Sequence, residues 1–468
     1  MAADYIGKSE TMEKQALIPH NIKPCPAWVI CVYATLAVLL QAFCTVDRIM
    51  WAMYVFPLPQ LLFLFHGAGV FLLLWDTLTE RIWMRKKQIR PLVGTLLAIF
   101  LSSCLWWEYS IENMKVLAVQ AVQMLLFFPL AWRLSRRNCL RLLRGIYTGI
   151  SVGYIPAILI SICRFFLHEV GVTEGRLLGV FALFYPPAVV SGVMAVASVY
   201  FAWKAERPWE RCIFAGAGVV YGAFNILNGT RAVLVAYAAA ILLTTVLLFW
   251  NWHNQEGRSK DRYLRMGGCL LLSAVLLGMV LCAGILMRTD VRPENITNNR
   301  IYIWKDYLEV TCAEPKTVLF GFSPRGYQPE IRERYPDIFI VSYIREHYPN
   351  TFQGGNIYDI HNGYLSVFVC TGILGTCFVG AFFLLWFRQL LGWIRSQKKL
   401  SCEALALLAE LTLLLSAVFF DSDLFFYYNS TTLLFWILAG CSFRIMEPED
   451  GCGRICNERA PLRAGNRP

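Results

Sequence analysis

Long apolar stretches recur along the chain, and they constrain its fold more than any other feature of the sequence. A helix needs about 20 predominantly apolar residues to cross the hydrocarbon core of a bilayer. The windows that meet this requirement are residues 27–45, 54–75, 91–107, 116–132, 146–166, 179–202, 212–227, 231–250, 267–287, 365–387, 403–420 and 425–443. Only 16% of the residues are charged, whereas soluble domains carry about 25%. We therefore predict an all-α integral membrane protein with about twelve transmembrane helices.

Lys and Arg are distributed unequally between alternate loops. The side that holds both termini carries 29 of the 43 basic residues, the short loops and span ends of the other side carry five, and segment 288–360 carries the remaining nine. Because loops rich in Lys and Arg face the cytoplasm, both termini are predicted to be cytoplasmic and segment 288–360 extracytoplasmic. The predicted division is an N-terminal segment (1–26), a polytopic membrane domain (27–443) and a cytoplasmic tail (444–468).

Charge and cysteine content exclude several classes of function. The net charge of +11 follows mostly from topology, and segment 288–360 has nine basic against ten acidic residues, so the chain is not expected to bind nucleic acid. Cys312 is the only cysteine of that segment, which leaves no disulfide framework within it. No cluster with metal-ligand spacing accompanies the candidate residues, so neither a metal nor another cofactor is expected.

The extracytoplasmic segment is long enough to carry short helices of its own. Residues 298–310 are predicted to form a helix capped by Asn298 or Asn299, with Ile301, Trp304 and Leu308 on one face against the membrane interface. Residues 314–330 contain turn-forming Pro and Gly and are predicted to form an ordered loop.

Three residues on the predicted outer face have side chains suited to group transfer. Arg231 ends the short polar hinge "NILNGTR", Arg300 lies in the first turn of the predicted helix, and His361 precedes an apolar span. Arg231 could equally extend to the lipid headgroups, and His361 could equally be an interfacial hydrogen-bonding residue. Together, however, two guanidiniums can hold an anion bidentately. A neutral imidazole can also take a proton from an attacking hydroxyl, which indicates transfer away from a phosphate-containing leaving group.

Three blocks of the sequence resemble the O-antigen ligase and O-antigen polymerase superfamily of bacterial membrane glycosyltransferases. They are "NGTRAVLVAYAAAILL" (228–243), "NRIYIWKDYLEVTCAEPKTVLFGFSPRGY" (299–327) and "HNGYLSVFVCTGILGTCFVGAFF" (361–383). A weaker element at 175–192 has Pro186–Pro187 where the family has Pro-Asn. Thr230 stands where serine is usual, and Ala232 where glycine is common. The resemblance covers about 175–387.

The resemblance implies a donor oligosaccharide on undecaprenyl pyrophosphate and a metal-independent, inverting transfer to an acceptor hydroxyl. By matched position, His361 would be the base, and Arg231 and Arg300 would hold the pyrophosphate. Further candidates are Asn362 and Tyr364 as positioning groups, Arg176 and Arg325 as auxiliary anion or sugar contacts, and Asp421 and Asp423, which either orient the acceptor or are solvated turn carboxylates.

The predicted function is that of a surface polysaccharide polymerase in the bacterial plasma membrane. The alternative within the family is a ligase that moves finished glycan to lipid, wall or protein, because both reactions use the same residues. A lipid-linked sugar transporter is disfavoured, because transporters place polar residues near the midplane whereas these lie at one surface. The expected partners are the lipid-linked donor, a glycan or lipid acceptor and the bilayer, with a flippase or chain-length regulator as further candidates.

Overall fold

The computed structural model describes residues 25–46, 58–80, 87–167, 172–173, 176–177, 179–181, 185–253, 299–397, 399–420, 425–426 and 429–446. These residues are almost entirely helical. Before segment 288–360, called the long segment below, the helices are α1 (Ala27–Phe43), α2 (Leu58–Glu80), α3 (Ile89–Leu105), α4 (Ser110–Val122), α5 (Phe128–Arg133), α6 (Arg136–Phe166), α7 (Tyr185–Lys204), α8 (Pro208–Asn228) and α9 (Arg231–His253). Within that segment they are α10 (Arg300–Cys312), α11 (Pro315–Phe320), α12 (Tyr327–Arg334), α13 (Phe339–His347) and α14 (Pro349–Gln353). The last three are α15 (Gly363–Ser396), α16 (Cys402–Val418) and α17 (Ser430–Met446).

Short irregular elements connect some of these helices. A 3₁₀ turn at Trp107–Tyr109 precedes α4, and a π-helical segment at Gln123–Phe127 joins α4 to α5. Strands β1 (Val172–Thr173) and β2 (Arg176–Leu177) form a two-residue antiparallel hairpin between α6 and α7.

Helices occupy eleven of the twelve predicted windows, and the remaining window, 267–287, lies outside the described residues. Five segments are long and apolar enough to cross a membrane: Trp107–Leu130, Arg136–Phe166, Tyr185–Lys204, Arg231–Asn251 and Gly363–Ser396. Shorter apolar helices are Ala27–Phe43, Leu64–Thr79, Ile89–Leu105 and Ser430–Met446. Large apolar side chains such as Val152 and Leu384 are about 70% exposed on these helices, as expected for faces in contact with lipid. The chain is therefore a multi-pass membrane protein, while the number of twelve spans remains a prediction.

Local sequence sets several helix ends. Asn362 caps α15, and Ser135 and Ser401 cap α6 and α16 by accepting backbone N–H groups of the first turn. Gly229 ends α8 with φ of +64°, a conformation that glycine adopts without a steric penalty. The polar hinge predicted before Arg231 therefore separates two helices.

At the N-terminal end of α16 lie the C-terminal ends of two neighbouring helices. Lys204, the last residue of α7, pairs with Glu403 at 2.6 Å. Asn251, near the end of α9, exchanges two hydrogen bonds with the backbone of Leu400, at 3.1 and 2.7 Å. Both α7 and α9 thus run antiparallel to α16.

At the C-terminal end of α16 lie the N-terminal ends of α7 and α15. Tyr185 donates a hydrogen bond to the Ala417 carbonyl at 2.5 Å, and Tyr364 donates one to the Leu415 carbonyl at 3.0 Å. We call this end of the bundle, marked by Tyr185, Tyr364 and Ala417, the site end. If successive spans cross the membrane in alternate directions, the starts of α7 and α15 and the end of α16 must lie on the same side, as they do here. The prediction that this side is the outer one rests on the charge distribution.

The long segment packs into a break in α15. Gly372 has φ of +62° inside that helix, and Gly321 has φ of +69° in the segment. Phe322 N donates to the Val369 carbonyl at 2.8 Å, and Ser323 N donates to the Cys370 carbonyl at 3.0 Å. The segment therefore supplies hydrogen-bond donors to the α15 carbonyl groups that lose their helical partners at the break.

Helix α10 forms close to the range predicted for it, 298–310. Ile303, Tyr307 and Val310 form its buried face, whereas Ile301 and Leu308, which are predicted to face the membrane interface, are exposed. A second prediction about the long segment is wrong in part. The region 314–330 was predicted to be a loop, but it contains α11 and the start of α12. Pro315 is at the first position of α11, where its missing N–H costs no hydrogen bond.

Candidate active site

His361 is held in an uncommon backbone conformation directly before α15. Its φ is +48°, in the left-handed region that few residues other than glycine adopt. The following residue, Asn362, is buried, and its side chain accepts hydrogen bonds from Tyr364 N at 3.0 Å and Leu365 N at 2.9 Å. This cap fixes the start of α15 and therefore the position from which the imidazole projects.

Helix α10 holds the chain on the other side of His361. Trp304 Nε1 donates to the Ile360 carbonyl at 3.1 Å, and the Tyr307 hydroxyl donates to the Tyr358 carbonyl at 2.5 Å. Residues three apart share one face of a helix, so both bonds come from the same face of α10. The predicted helix therefore contacts the backbone directly before the predicted histidine, although 56 residues separate Trp304 from Ile360.

Arg300 lies at the start of α10, four residues before Trp304 and on the same face. Its guanidinium carbon is 5.7 Å from the centre of the Phe420 ring, just beyond the end of α16. The charge of Arg300 also acts on the pKa of His361 and of Tyr358. Arg300 and His361 are therefore close enough to be electrostatically coupled.

Two charged groups and burial set the pKa of His361. Burial lowers the pKa of the imidazole below its ordinary value, the Asp359 carboxylate opposes that shift, and the Arg300 guanidinium adds to it. The net direction is downward, so the imidazole is neutral at neutral pH and able to accept a proton.

Asp359 is a residue of this site that the sequence analysis did not select. Its Oδ1 accepts hydrogen bonds from the Tyr327 hydroxyl at 3.0 Å and from Ile360 N at 2.9 Å. The carboxylate is thus tied to α12 while its charge acts on His361. The signal was present in "DIHN", where an aspartate stands two residues before the histidine.

Arg231 reaches the same end of the bundle through the packing of α9 on α16. Asn251 is bonded to Leu400, Arg231 precedes Asn251 by 20 residues, and Phe420 follows Leu400 by 20 residues. Both helices rise by about 1.5 Å per residue. Arg231 therefore lies at about the level of Phe420, the ring that Arg300 faces.

The hinge before Arg231 is tied to the hairpin between α6 and α7. The Asn228 amide donates to the Leu177 carbonyl at 3.0 Å, and the Thr230 hydroxyl donates to the Asn228 side-chain oxygen. Leu177 belongs to β2, the strand that also contains Arg176. The side chain of Arg176 lies outside the described part of the structure.

The remaining candidate residues differ in how their side chains are placed. Tyr364 uses its hydroxyl to bond α16, so its observed contact, like that of Asn362, positions α15. Arg325 is exposed and lines a cavity of about 430 Å³ that also includes Tyr327 and Ile360. Asp421 and Asp423 lie outside the described residues.

No group of three or more His, Cys, Asp or Glu side chains able to hold a metal ion occurs among the described residues.

A comparison with known protein families bears on this arrangement. Residues 216–380 match the family model described as O-antigen ligase (Wzy_C), whereas no curated protein matches the chain. The matched range contains Arg231, Arg300 and His361, together with the hydrogen bond from Trp304 of α10 to the Ile360 carbonyl. It supports membrane glycosyltransferase activity of the O-antigen ligase or polymerase type. The match confirms the resemblance to the O-antigen ligase and polymerase superfamily that is predicted from the sequence, over residues 216–380.

Proposed function

We propose that the protein transfers an oligosaccharide from undecaprenyl pyrophosphate to an acceptor hydroxyl on the outer face of the bacterial plasma membrane. The observation that carries this proposal is the contact of α10 with the segment before α15, made by Trp304 and Ile360. That contact sets an arginine, Arg300, beside a histidine whose pKa is lowered by burial. A cation for the leaving group and a neutral base for the incoming hydroxyl are the two groups that this transfer requires.

The leaving group would be held by Arg231 and Arg300. Each is the first residue of its helix, α9 or α10, so the positive end of a helix dipole adds to the charge of each guanidinium. Two planar guanidiniums can bind the oxygens of a pyrophosphate bidentately. Their contribution is to stabilise the negative charge that grows on the departing oxygen.

The base would be His361. The acceptor oxygen attacks the anomeric carbon, the bond from that carbon to the pyrophosphate oxygen breaks, and the imidazole takes the hydroxyl proton. The products are a glycosidic bond, undecaprenyl pyrophosphate and a protonated histidine, which then returns its proton to solvent. A single displacement of this kind inverts the anomeric centre, and it uses no metal ion or cofactor.

The preferred acceptor is another lipid-linked glycan, which makes the protein a polymerase of surface polysaccharide. A ligase that transfers finished glycan to lipid, wall or protein would use the same base and the same arginines. The choice of polymerase follows from the absence, in the sequence, of features that suggest a dedicated protein or lipid acceptor. A flippase and a chain-length regulator are the partners that such a polymerase would need.

The experiment that tests the proposal is transfer by the purified protein from a defined undecaprenyl-pyrophosphate oligosaccharide. Wild type should extend the glycan in the presence of a chelator, and the product should stay on the carrier lipid. His361→Ala should abolish transfer while the protein keeps its elution profile, and His66→Ala, a change in α2, should leave the rate as in wild type. Full activity of His361→Ala would contradict the mechanism, whereas product released from the carrier would favour the ligase.

A further inference from the structure

A continuous series of aromatic rings leads from His361 to the surface of the long segment. The ring centres are 5.8 Å apart from Tyr302 to Phe339, 5.2 Å from Phe339 to Tyr343, and 5.5 Å from Tyr343 to Tyr358. Tyr358 then meets the His361 ring at 5.7 Å, edge to face. We call Tyr302, Phe339, Tyr343 and Tyr358 the aromatic ladder.

The ladder lies on the surface because of how α13 is packed. Ile340, Val341 and Ile344 form the buried face of this helix, which leaves Phe339 and Tyr343 on its partly exposed face. At the outer end of the ladder, on α10, Tyr302 is 58% exposed. Exposed aromatic rings that continue into a candidate active site are a feature of ligand-binding surfaces.

Two further rings widen the ladder at Tyr343. His347 stacks on Tyr343 with 4.3 Å between ring centres, and Tyr348 lies 6.2 Å from Tyr343 and is 52% exposed. The surface at this point is therefore broader than a single ring.

The chemistry of the ladder selects its ligand. None of its four side chains carries a charge at neutral pH, whereas the pyrophosphate candidates are arginines. A tyrosine combines an apolar ring face with a hydroxyl that hydrogen-bonds. Pyranose rings are the matching partner, because they have an apolar C–H face and a rim of hydroxyl groups. The ladder is thus suited to a saccharide rather than to the anionic part of a donor.

We propose that the aromatic ladder binds the saccharide chain of the acceptor, several sugars beyond the hydroxyl that reacts. The proposal rests on the function proposed above, since it takes His361 as the base that meets the acceptor hydroxyl. The ladder ends on the ring of His361, so a chain lying along it ends at the base. The donor glycan instead begins at the pyrophosphate, whose proposed ligands, Arg231 and Arg300, are not part of the ladder.

The test compares acceptors of different length. Purified full-length protein is given the lipid-linked donor and acceptors of one or four repeat units. Wild type should use the four-unit acceptor more efficiently, and Tyr302→Ala and Tyr343→Leu should each reduce this preference by about threefold to tenfold, the range expected for one aromatic contact. Ile301→Ala is the matched control, because Ile301 neighbours Tyr302 on α10 and is equally exposed, at 58%.

A second measurement separates failure of the ladder from failure of the proposed function. Lipid-free four-unit oligosaccharide, released from the carrier by mild acid, is titrated into His361→Ala protein with and without Tyr343→Leu. Binding that is weakened by Tyr343→Leu supports the ladder even if no transfer is detected. Equal binding of the oligosaccharide by both proteins would overturn the proposal. So would a wild type that uses long and short acceptors equally well. Ladder variants that lose activity equally on both acceptors would also overturn it, because that result is expected of rings that contact lipid.

Discussion

At the scale of single residues, the environment of His361 distinguishes it from an ordinary interfacial histidine. Its backbone has positive φ, and its neighbours Asp359 and Arg300 act on its pKa in opposite directions. A conformation of this kind costs about 1–3 kcal/mol and persists only where surrounding contacts impose it. Here the cap by Asn362 and the bond from Trp304 supply those contacts.

The two charged neighbours give a prediction about pH. Because protonated His361 cannot act as the base, kcat/KM should fall on acidification, below the ordinary histidine pKa of about 6.5. Asp359→Asn removes the carboxylate that raises the pKa, so the acid limb of the profile should move to lower pH. Arg300→Gln removes a charge that lowers the pKa, so the limb should move to higher pH.

The measurement is kcat/KM against pH for wild type and both variants with one donor. Titration of the donor is common to all three enzymes, so a difference between profiles reports His361. Profiles that shift in the same direction, or that coincide, would show that the base is not located between these two charges.

The geometry of Arg300 gives a second prediction. Arg300→Lys keeps the charge but loses the planar pair of donors, so kcat/KM should fall by about tenfold to a hundredfold, the value of one charge-assisted hydrogen bond. Arg345→Lys, a change at an exposed arginine of α13, is the matched control and should be close to wild type. A fully active Arg300→Lys would argue against bidentate binding of pyrophosphate.

Some residues of the candidate site are recognisable in the sequence, and others are not, for a physical reason. Arg231, Arg300 and His361 could be selected because charged or titratable groups at a membrane surface are few. Asp359 stands beside His361 in the sequence, but its role becomes visible only in the fold, which brings the Tyr327 hydroxyl to its carboxylate. The roles assigned to these residues remain proposals.

At the scale of elements, the insertion of the long segment into the break of α15 is the contact that positions the site. A Cβ at Gly372 would lie 2.4 Å from the Leu319 carbonyl carbon, and one at Gly321 would lie 2.4 Å from the Cys370 carbonyl carbon. Two backbones approach so closely only where neither residue has a side chain. The break thus fixes how the segment that carries α10 sits on the helices.

Gly372→Ala should therefore destabilise the protein, by roughly 2–5 kcal/mol from the positive φ and the steric clash together. Gly380→Ala is a matched control in the same helix, since a Cβ there meets nothing within 4 Å. Thermal unfolding in detergent should show a lower melting temperature for Gly372→Ala alone, with loss of transfer. Similar melting temperatures for the two variants would mean that the close approach does not hold the segment.

The elements themselves were only partly predictable from the sequence. Apolar windows located the membrane helices because a span must be apolar throughout its length, and α1 and α9 begin at the predicted residues. The faces of short helices in the segment were not predictable in the same way. The buried face of α10 includes Tyr307, and whether a tyrosine lies inside depends on a partner for its hydroxyl, here the Tyr358 carbonyl.

For the molecule as a whole, the proposed reaction is possible only if the site end faces outward. Cys312 on α10 and Cys402 at the start of α16 are both exposed, and the charge distribution predicts them on opposite sides of the membrane. In variants that keep one of these cysteines each, an impermeant maleimide added to spheroplasts should label Cys312 and not Cys402. Labelling of Cys402 alone would invert the topology and exclude the proposed reaction on the outer face.

In the proposed mechanism, Arg231 and Arg300 hold one pyrophosphate beside His361. The most direct test is a double-mutant cycle on the dissociation constant of the undecaprenyl-pyrophosphate donor, with Arg231→Gln, Arg300→Gln and both together, in a His361→Ala background that prevents turnover. If the arginines share the ligand, each variant weakens binding and the pair departs from additivity by more than about 0.5 kcal/mol. Unchanged donor binding in either single variant, or strictly additive losses, would contradict the claim.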